Sequence, residues 1–205
     1  MNLFNYWYVI LEKYNISDEK IKAIIFNLKL KYTEIHRYYH NLSHINSFFN
    51  IIFKYKSKIT DFESMFYACC FHDIIYDPKA NDNEEKSALF ATDLLKNLNI
   101  PQKIIDNTIS LILSTKTHKP QNDNFDTKIF LDADLSIFSS NLIKYIFYSK
   151  SIKKEYSFVE NKKYKEGRKK VLQTFLEKNK IYYTEEFYKK EKTARRNINF
   201  EIGCL

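Results

Sequence analysis

Apolar residues recur three and four positions apart along most of this chain, the period of a helix with one buried face. Residues 34–55 show it best: Ile45, Phe48, Phe49, Ile52 and Phe53 line one side of a helix. Residues 4–14 read as an aromatic-rich first helix, broken by Asn15-Ile16-Ser17. Ser17 is an N-cap for residues 18–31, with Lys20 where a capping box would have Glu. Residues 61–72 are nearly all apolar, which predicts a central helix. A loop with Asp77-Pro78 and Asn81-Asp82-Asn83 leads into a helix over 84–98, acidic in its first turn as the helix dipole favours. A further helix over 101–115 opens on Pro101. Residues 116–127 are polar and contain Pro120, so they are the longest expected loop. Helices are then expected over 128–138, 141–164, 167–178 and 184–199.

Composition narrows the fold class. With 2 Gly and 3 Pro in 205 residues, turn-formers are too scarce for a β-sandwich or barrel. The expectation is an all-α single domain over residues 1–205, a bundle of roughly seven to ten helices. There is no internal repeat and no low-complexity linker. Cys69 and Cys70 are adjacent and Cys204 stands alone, so no disulfide framework is expected, which fits a reducing, cytoplasmic setting. The first residues carry Asn5, Glu12 and Lys13 without a small-residue cleavage site, so no signal peptide is expected. No uncharged stretch is long enough to span a membrane.

The net charge of +8 is unevenly placed. Residues 1–149 carry 17 basic and 17 acidic side chains, while residues 150–205 carry 16 and 8. A basic surface draws anions such as nucleotides, RNA or acidic lipids, although Lys-rich helices also occur simply as solvated faces. No nucleic-acid-binding motif surrounds these lysines.

Three short segments concentrate metal-binding side chains: His40-Asn41-Leu42-Ser43-His44, His72-Asp73 and Asp132-Ala133-Asp134. Two imidazoles and two carboxylates drawn from them make a mixed nitrogen and oxygen set, suited to Mn, Mg, Co, Fe, Ni or Zn in one or two ions. His40 and His44, four residues apart on an expected helix, share a face. Asp132 and Asp134 sit about 200° apart on a helix, so only one can face a given ion. Any one of these histidines could be an ordinary buried residue; as a set they supply one another with the partners that buried polar groups need.

These segments resemble the HD superfamily of metal-dependent phosphohydrolases. Residues 39–44 are similar to the H-N-x-x-H signature of cyclic-nucleotide phosphodiesterases, and Ala133-Asp134-Leu135-Ser136 to their A-D-L-S segment. The chain is shorter than those enzymes and lacks their H-D-x-x-H after His72. A closer resemblance, over nearly the whole chain, is to a family of compact bacterial predicted HD phosphohydrolases. It includes Asn83-Glu84, Tyr164, Gly167-Arg168 and Ala194-Arg195-x-Asn197.

The resemblance implies an HD-type helical bundle around a central metal site. It makes His44, His72, Asp73 and Asp134 the metal ligands and His40 the general acid. Asp73 would bridge if two ions bind. Glu84 is a candidate base or a group orienting a ligand, its plainer reading being a carboxylate at a helix N-terminus. Arg37, Arg168 and Arg195 are candidates for substrate phosphate, because a guanidinium donates paired bonds to an anion. His118 is a candidate for a second ion or a phosphate, against the plainer reading of an exposed loop residue; His36 reads as structural. The implied activity is metal-dependent hydrolysis of a phosphomonoester or phosphodiester, with a small phosphorylated partner, a nucleotide. The second hypothesis is a catalytically silent module that binds a nucleotide or RNA through its basic last third. A homo-oligomer and a nucleic-acid partner both stay open.

Overall fold

The computed structural model describes residues 2–205, which form eleven α-helices and no strands. In order they are α1 (Leu3–Leu11), α2 (Asp18–Tyr32), α3 (Leu42–Lys54), α4 (Phe62–Phe71), α5 (Asn83–Asn97), α6 (Gln102–Ser114), α7 (Phe125–Asp134), α8 (Leu142–Glu155), α9 (Asn161–Leu176), α10 (Glu185–Tyr188) and α11 (Glu191–Cys204). A 3-10 turn, Leu135–Ser139, continues α7. The all-α expectation holds. The helix number exceeds it, because α10 is a single turn and one expected helix is two.

Local chemistry starts many of these helices. The side chains of Ser17, Asn41, Asp61, Asn124 and Asn141 each accept from a first-turn backbone N–H of α2, α3, α4, α7 and α8. Each satisfies a donor the helix cannot satisfy itself, stabilising it by about 1 kcal/mol. Asn15 and Asn99 take left-handed backbone conformations at helix exits, which Asn tolerates better than most residues.

The core forms around α4, whose residues Ser64 to Phe71 are all buried. It packs against α3, α5, α6 and α7. From α1, Trp7 meets Phe66 edge-on at 5.1 Å, and Tyr6 meets the same ring at 4.9 Å. The last third wraps the far side: α11 packs on the 3-10 turn, α8 and α9. One continuous apolar cluster runs from Leu3 to Ile198. No helix is long and apolar enough to cross a membrane among the described residues.

Two expectations need correction. His40 does not share a helix with His44, since α3 starts only at Leu42. The Asn41 side chain caps Ser43 N at 2.8 Å, and the N–H groups of Tyr39 and His40 are held by Glu155 Oε1 at 2.6 and 3.0 Å. Those bonds, with Asn41 N donating to the Tyr39 carbonyl at 2.8 Å, hold 39–41 in a bend ahead of the helix. The expected helix over 141–164 is broken after Glu155, and α9 begins at Asn161. The connecting residues include Tyr156, Phe158 and Val159, so the apolar pattern runs on through a turn and hides it.

Candidate metal centre

Four side chains from three elements converge at the centre of the bundle. His44 comes from the first turn of α3, and His72 and Asp73 from the C-terminal end of α4. Asp134 is the last residue of α7. His44 Nε2 lies 3.2 Å from His72 Nε2, 3.3 Å from Asp134 Oδ1 and 3.6 Å from Asp73 Oδ2. His72 Nε2 lies 3.1 Å from Asp73 Oδ2 and 3.6 Å from Asp134 Oδ1. Atoms bound about 2.1 Å from a common ion are separated by about this much. His44, His72 and Asp134 each offer one ligand atom within 4.8 Å of the others, a group able to hold a metal ion.

The donor chemistry fits a cation. His72 Nδ1 is 3.1 Å from the Cys69 carbonyl, which can only accept, so Nδ1 carries the proton. In the neutral ring, Nε2 then turns a lone pair toward two carboxylates and a second imidazole. Such a set of acceptors is reconciled by a positive charge at its middle. Without an ion, the rings must supply that charge themselves. Burial would lower the His72 pKa, yet Asp73 and Asp134 push it well above its ordinary value. Burial would likewise raise the two carboxyls, but the facing imidazoles hold both low.

Asp132 and Asp134 lie two residues apart and face opposite ways. Asp132 accepts from Tyr183 N and Thr184 N, both at 2.8 Å, and from Thr184 Oγ1 at 2.6 Å. It anchors the chain segment before α10 and takes no part in the centre. Burial pushes its carboxyl up to about 6 despite these donors. Asp134 uses its second oxygen on His118, whose Nε2 lies 2.9 Å from Oδ2. His118 has a positive φ of 47°. Its carbonyl accepts from Lys178 Nζ at 2.9 Å and Tyr183 Oη at 2.7 Å. These two bonds hold a conformation that costs a non-glycine residue of order 1 kcal/mol. The loop histidine is therefore fixed against a candidate ligand.

His40 lies beside the centre with its Nδ1 2.7 Å from Glu155 Oε2. A carboxylate accepts, so Nδ1 donates and Nε2 is left for the cleft. Tyr76 Oη donates to the same carboxylate oxygen at 2.8 Å. Burial alone would lower the His40 pKa; Glu155, Asp73 and Asp134 outweigh it and raise the pKa above its ordinary value. Nothing in the sequence marks Glu155, a lone acid in a Lys-rich helix 115 positions from His40.

A cleft of about 800 Å³ opens over His40, Asp73, His118 and Asp134. Glu84 and Arg168 line it too. Glu84 is half-buried at the start of α5, as its helix-terminal reading has it. The fork of Arg168 is already committed: Nε and Nη2 bond the Glu201 carboxylate at 2.8 and 3.2 Å, and Nη2 bonds Tyr148 Oη at 3.0 Å. Arg37 and Arg195 are not brought to the cleft. Arg37 is buried and donates to the carbonyls of His40, Asp73 and Ile74 at 3.1, 2.7 and 3.0 Å. It ties the backbone of the His40 segment to that of the His72-Asp73 turn. Arg195 bonds Glu191 and the carbonyls of Leu176, Lys178 and Asn179, closing the chain between α9 and α11. A guanidinium has five donors, and folded backbone offers carbonyls enough to use them. His36 bonds the Tyr76 carbonyl at 2.9 Å, in keeping with a structural role.

No family model, no curated protein and no solved structure matches this chain, so its site is read from this geometry alone.

Proposed function

We propose that this chain is an HD-type, divalent-metal-dependent phosphohydrolase acting on a phosphate ester of a nucleotide. One observation carries the reading: two imidazoles and two carboxylates meet at metal-ligand separations, and both carboxylates open on a cleft they share with a carboxylate-buttressed histidine. His44, His72, Asp73 and Asp134 would hold the ion. A divalent ion there supplies Lewis acidity, polarising a phosphoryl oxygen and lowering the pKa of water toward neutrality.

The chain's own residues do the rest. Glu155 fixes the His40 ring by its Nδ1–H and favours the imidazolium, so Nε2–H is the proton for the leaving oxygen. Tyr76 Oη and the backbone N–H groups of Tyr39 and His40 satisfy Glu155, which keeps that buried carboxylate charged. His118 holds the outer oxygen of Asp134, leaving the inner one to the ion. Arg37 keeps the two reacting segments in register through their backbone carbonyls.

The test is phosphate release from a panel of nucleotides with Mn, Co or Mg, with and without a chelator. The expected result is metal-dependent release abolished by the chelator. Tight nucleotide binding with no release under any metal would replace this reading by a silent binding module.

A further inference from the structure

Four lysine and arginine side chains line the cleft: Lys116, Lys119, Arg168 and Lys178. Two are neutralised within the fold. Lys116 pairs with Glu85 and donates to the Asn81 carbonyl at 3.0 Å, and Arg168 pairs with Glu201. Lys119 and Lys178 are different: neither is in an ion pair among the described residues. Glu177 lines the same cleft but bridges to neither. Lys178 is nevertheless held in place. Its Nζ donates to the His118 carbonyl at 2.9 Å and lies 5.0 Å from the centre of the Phe175 ring.

An ammonium group that is half-buried, fixed and unpaired costs free energy unless an anion joins it. Burial and the nearby charge of Lys119 both lower the Lys178 pKa, the signature of a cation short of a counter-charge. The carbonyl that Lys178 grips and the ring that touches Asp134 belong to one residue, His118. An anion at the lysines would thus sit one residue's breadth from the metal centre, in the same cleft.

We infer that Lys119 and Lys178 hold a second phosphate group of the substrate while the first lies at the metal centre, which rests on the phosphohydrolase reading. The substrate class is a nucleotide with two phosphate groups set apart by about a sugar's breadth, such as a nucleoside 3′,5′-bisphosphate. A lysine suits a terminal phosphate because its rotatable ammonium accepts many orientations of the anion.

Calorimetry of the EDTA-treated whole chain with inorganic pyrophosphate tests the anion site without turnover. Wild type binds, Lys119→Gln/Lys178→Gln binds about tenfold or more weakly, and Lys116→Gln binds as wild type does. Lys119→Gln alone, at an exposed position that cannot unfold the chain, shows a partial loss. No binding by wild type, or equal binding by the double variant, overturns the site. With Mn²⁺, the ratio of kcat/KM for adenosine 3′,5′-bisphosphate over nitrophenyl phosphate falls about tenfold in the double variant. An unchanged ratio overturns the substrate assignment. Pyrophosphate binding without release from any ester would leave the anion site standing and sink the hydrolase. Release without pyrophosphate binding would do the reverse.

Discussion

Two clusters of charged side chains each send residues to the cleft, and they are built on opposite principles. In the C-terminal third, Arg168 and Glu201 form a closed set: a two-pronged ion pair, with Tyr145 Oη donating to Glu201 at 2.7 Å and Tyr148 on the arginine. Both Glu201 oxygens and the Nε and Nη2 donors of Arg168 are satisfied within the protein, which leaves only Nη1 without a partner among the described residues. At the candidate metal centre, His44, His72, Asp73 and Asp134 form an open set, in which the neutral His72 ring turns an acceptor toward two carboxylates. Burial does not account for the difference, since both sets combine nearly inaccessible side chains with ones that line the cleft. What separates structure from chemistry is whether coordination capacity remains once the fold is complete.

The comparison can be broken at its open end first. His72→Ala is expected to abolish metal binding, seen by elemental analysis, and with it all metal-dependent activity. Wild type should also be more stable in Mn²⁺ than in EDTA, because an ion that binds only the folded state stabilises it by mass action. In His72→Ala that increment should vanish. A variant that keeps its metal and its increment would remove His72 from the ligand set.

Beside the open cluster, His40→Ala should leave metal content intact and slow turnover by about two to four orders of magnitude. The loss should shrink for nitrophenyl esters, whose leaving group departs without a proton. Loss of metal in this variant would make His40 a ligand instead of an acid.

The closed cluster should fail differently. Arg168→Ala leaves Glu201 buried and unpaired and should lower stability by about 3–5 kcal/mol in urea unfolding. Both its Mn²⁺ and EDTA curves should drop together, with the metal increment retained. The pH dependence sharpens this. Burial would raise the Glu201 pKa, but Arg168 and Tyr145 hold it below its ordinary value. Its contribution is therefore complete above the unfolded pKa of about 4.3 and is lost as pH falls through the folded value. In Arg168→Ala burial loses its largest opponent and faces mainly the Tyr145 bond, the pKa rises, and Glu201 costs stability as pH increases through the raised value. Wild type should lose stability as pH falls below about 4.3 and the variant as pH rises above it; parallel curves would deny the pairing. Smallest is Asn41→Ala, which removes the α3 cap and should cost about 1 kcal/mol in the same assay.

The helices were legible because what makes them is local. The stripe of Ile45, Phe48, Phe49 and Ile52 and the capping of α2 by Ser17 involve residues within a turn or two. The apolar run of α4 announced its central place in the same way. Illegible were the features in which local pattern and long-range bonding disagree. Glu155 takes the N–H groups of Tyr39 and His40 and so keeps His40 off the helix its spacing suggested. The aromatic turn after Glu155 carried an apolar pattern straight through a helix break.

What the sequence determined by itself was the all-α class, most helix spans, and the residue types available for a metal site. It also required Asp132 and Asp134 to diverge, since a helix turns 100° per residue. Tertiary structure decided where each went, with Asp132 toward Thr184 and Asp134 toward His44. It also bound Arg37 and Arg195 to backbone carbonyls and brought His118 onto Asp134. The reason is the range of the forces. Periodicity and capping act over a few residues, whereas a buried charge is satisfied by whichever group the packing of distant helices delivers to it.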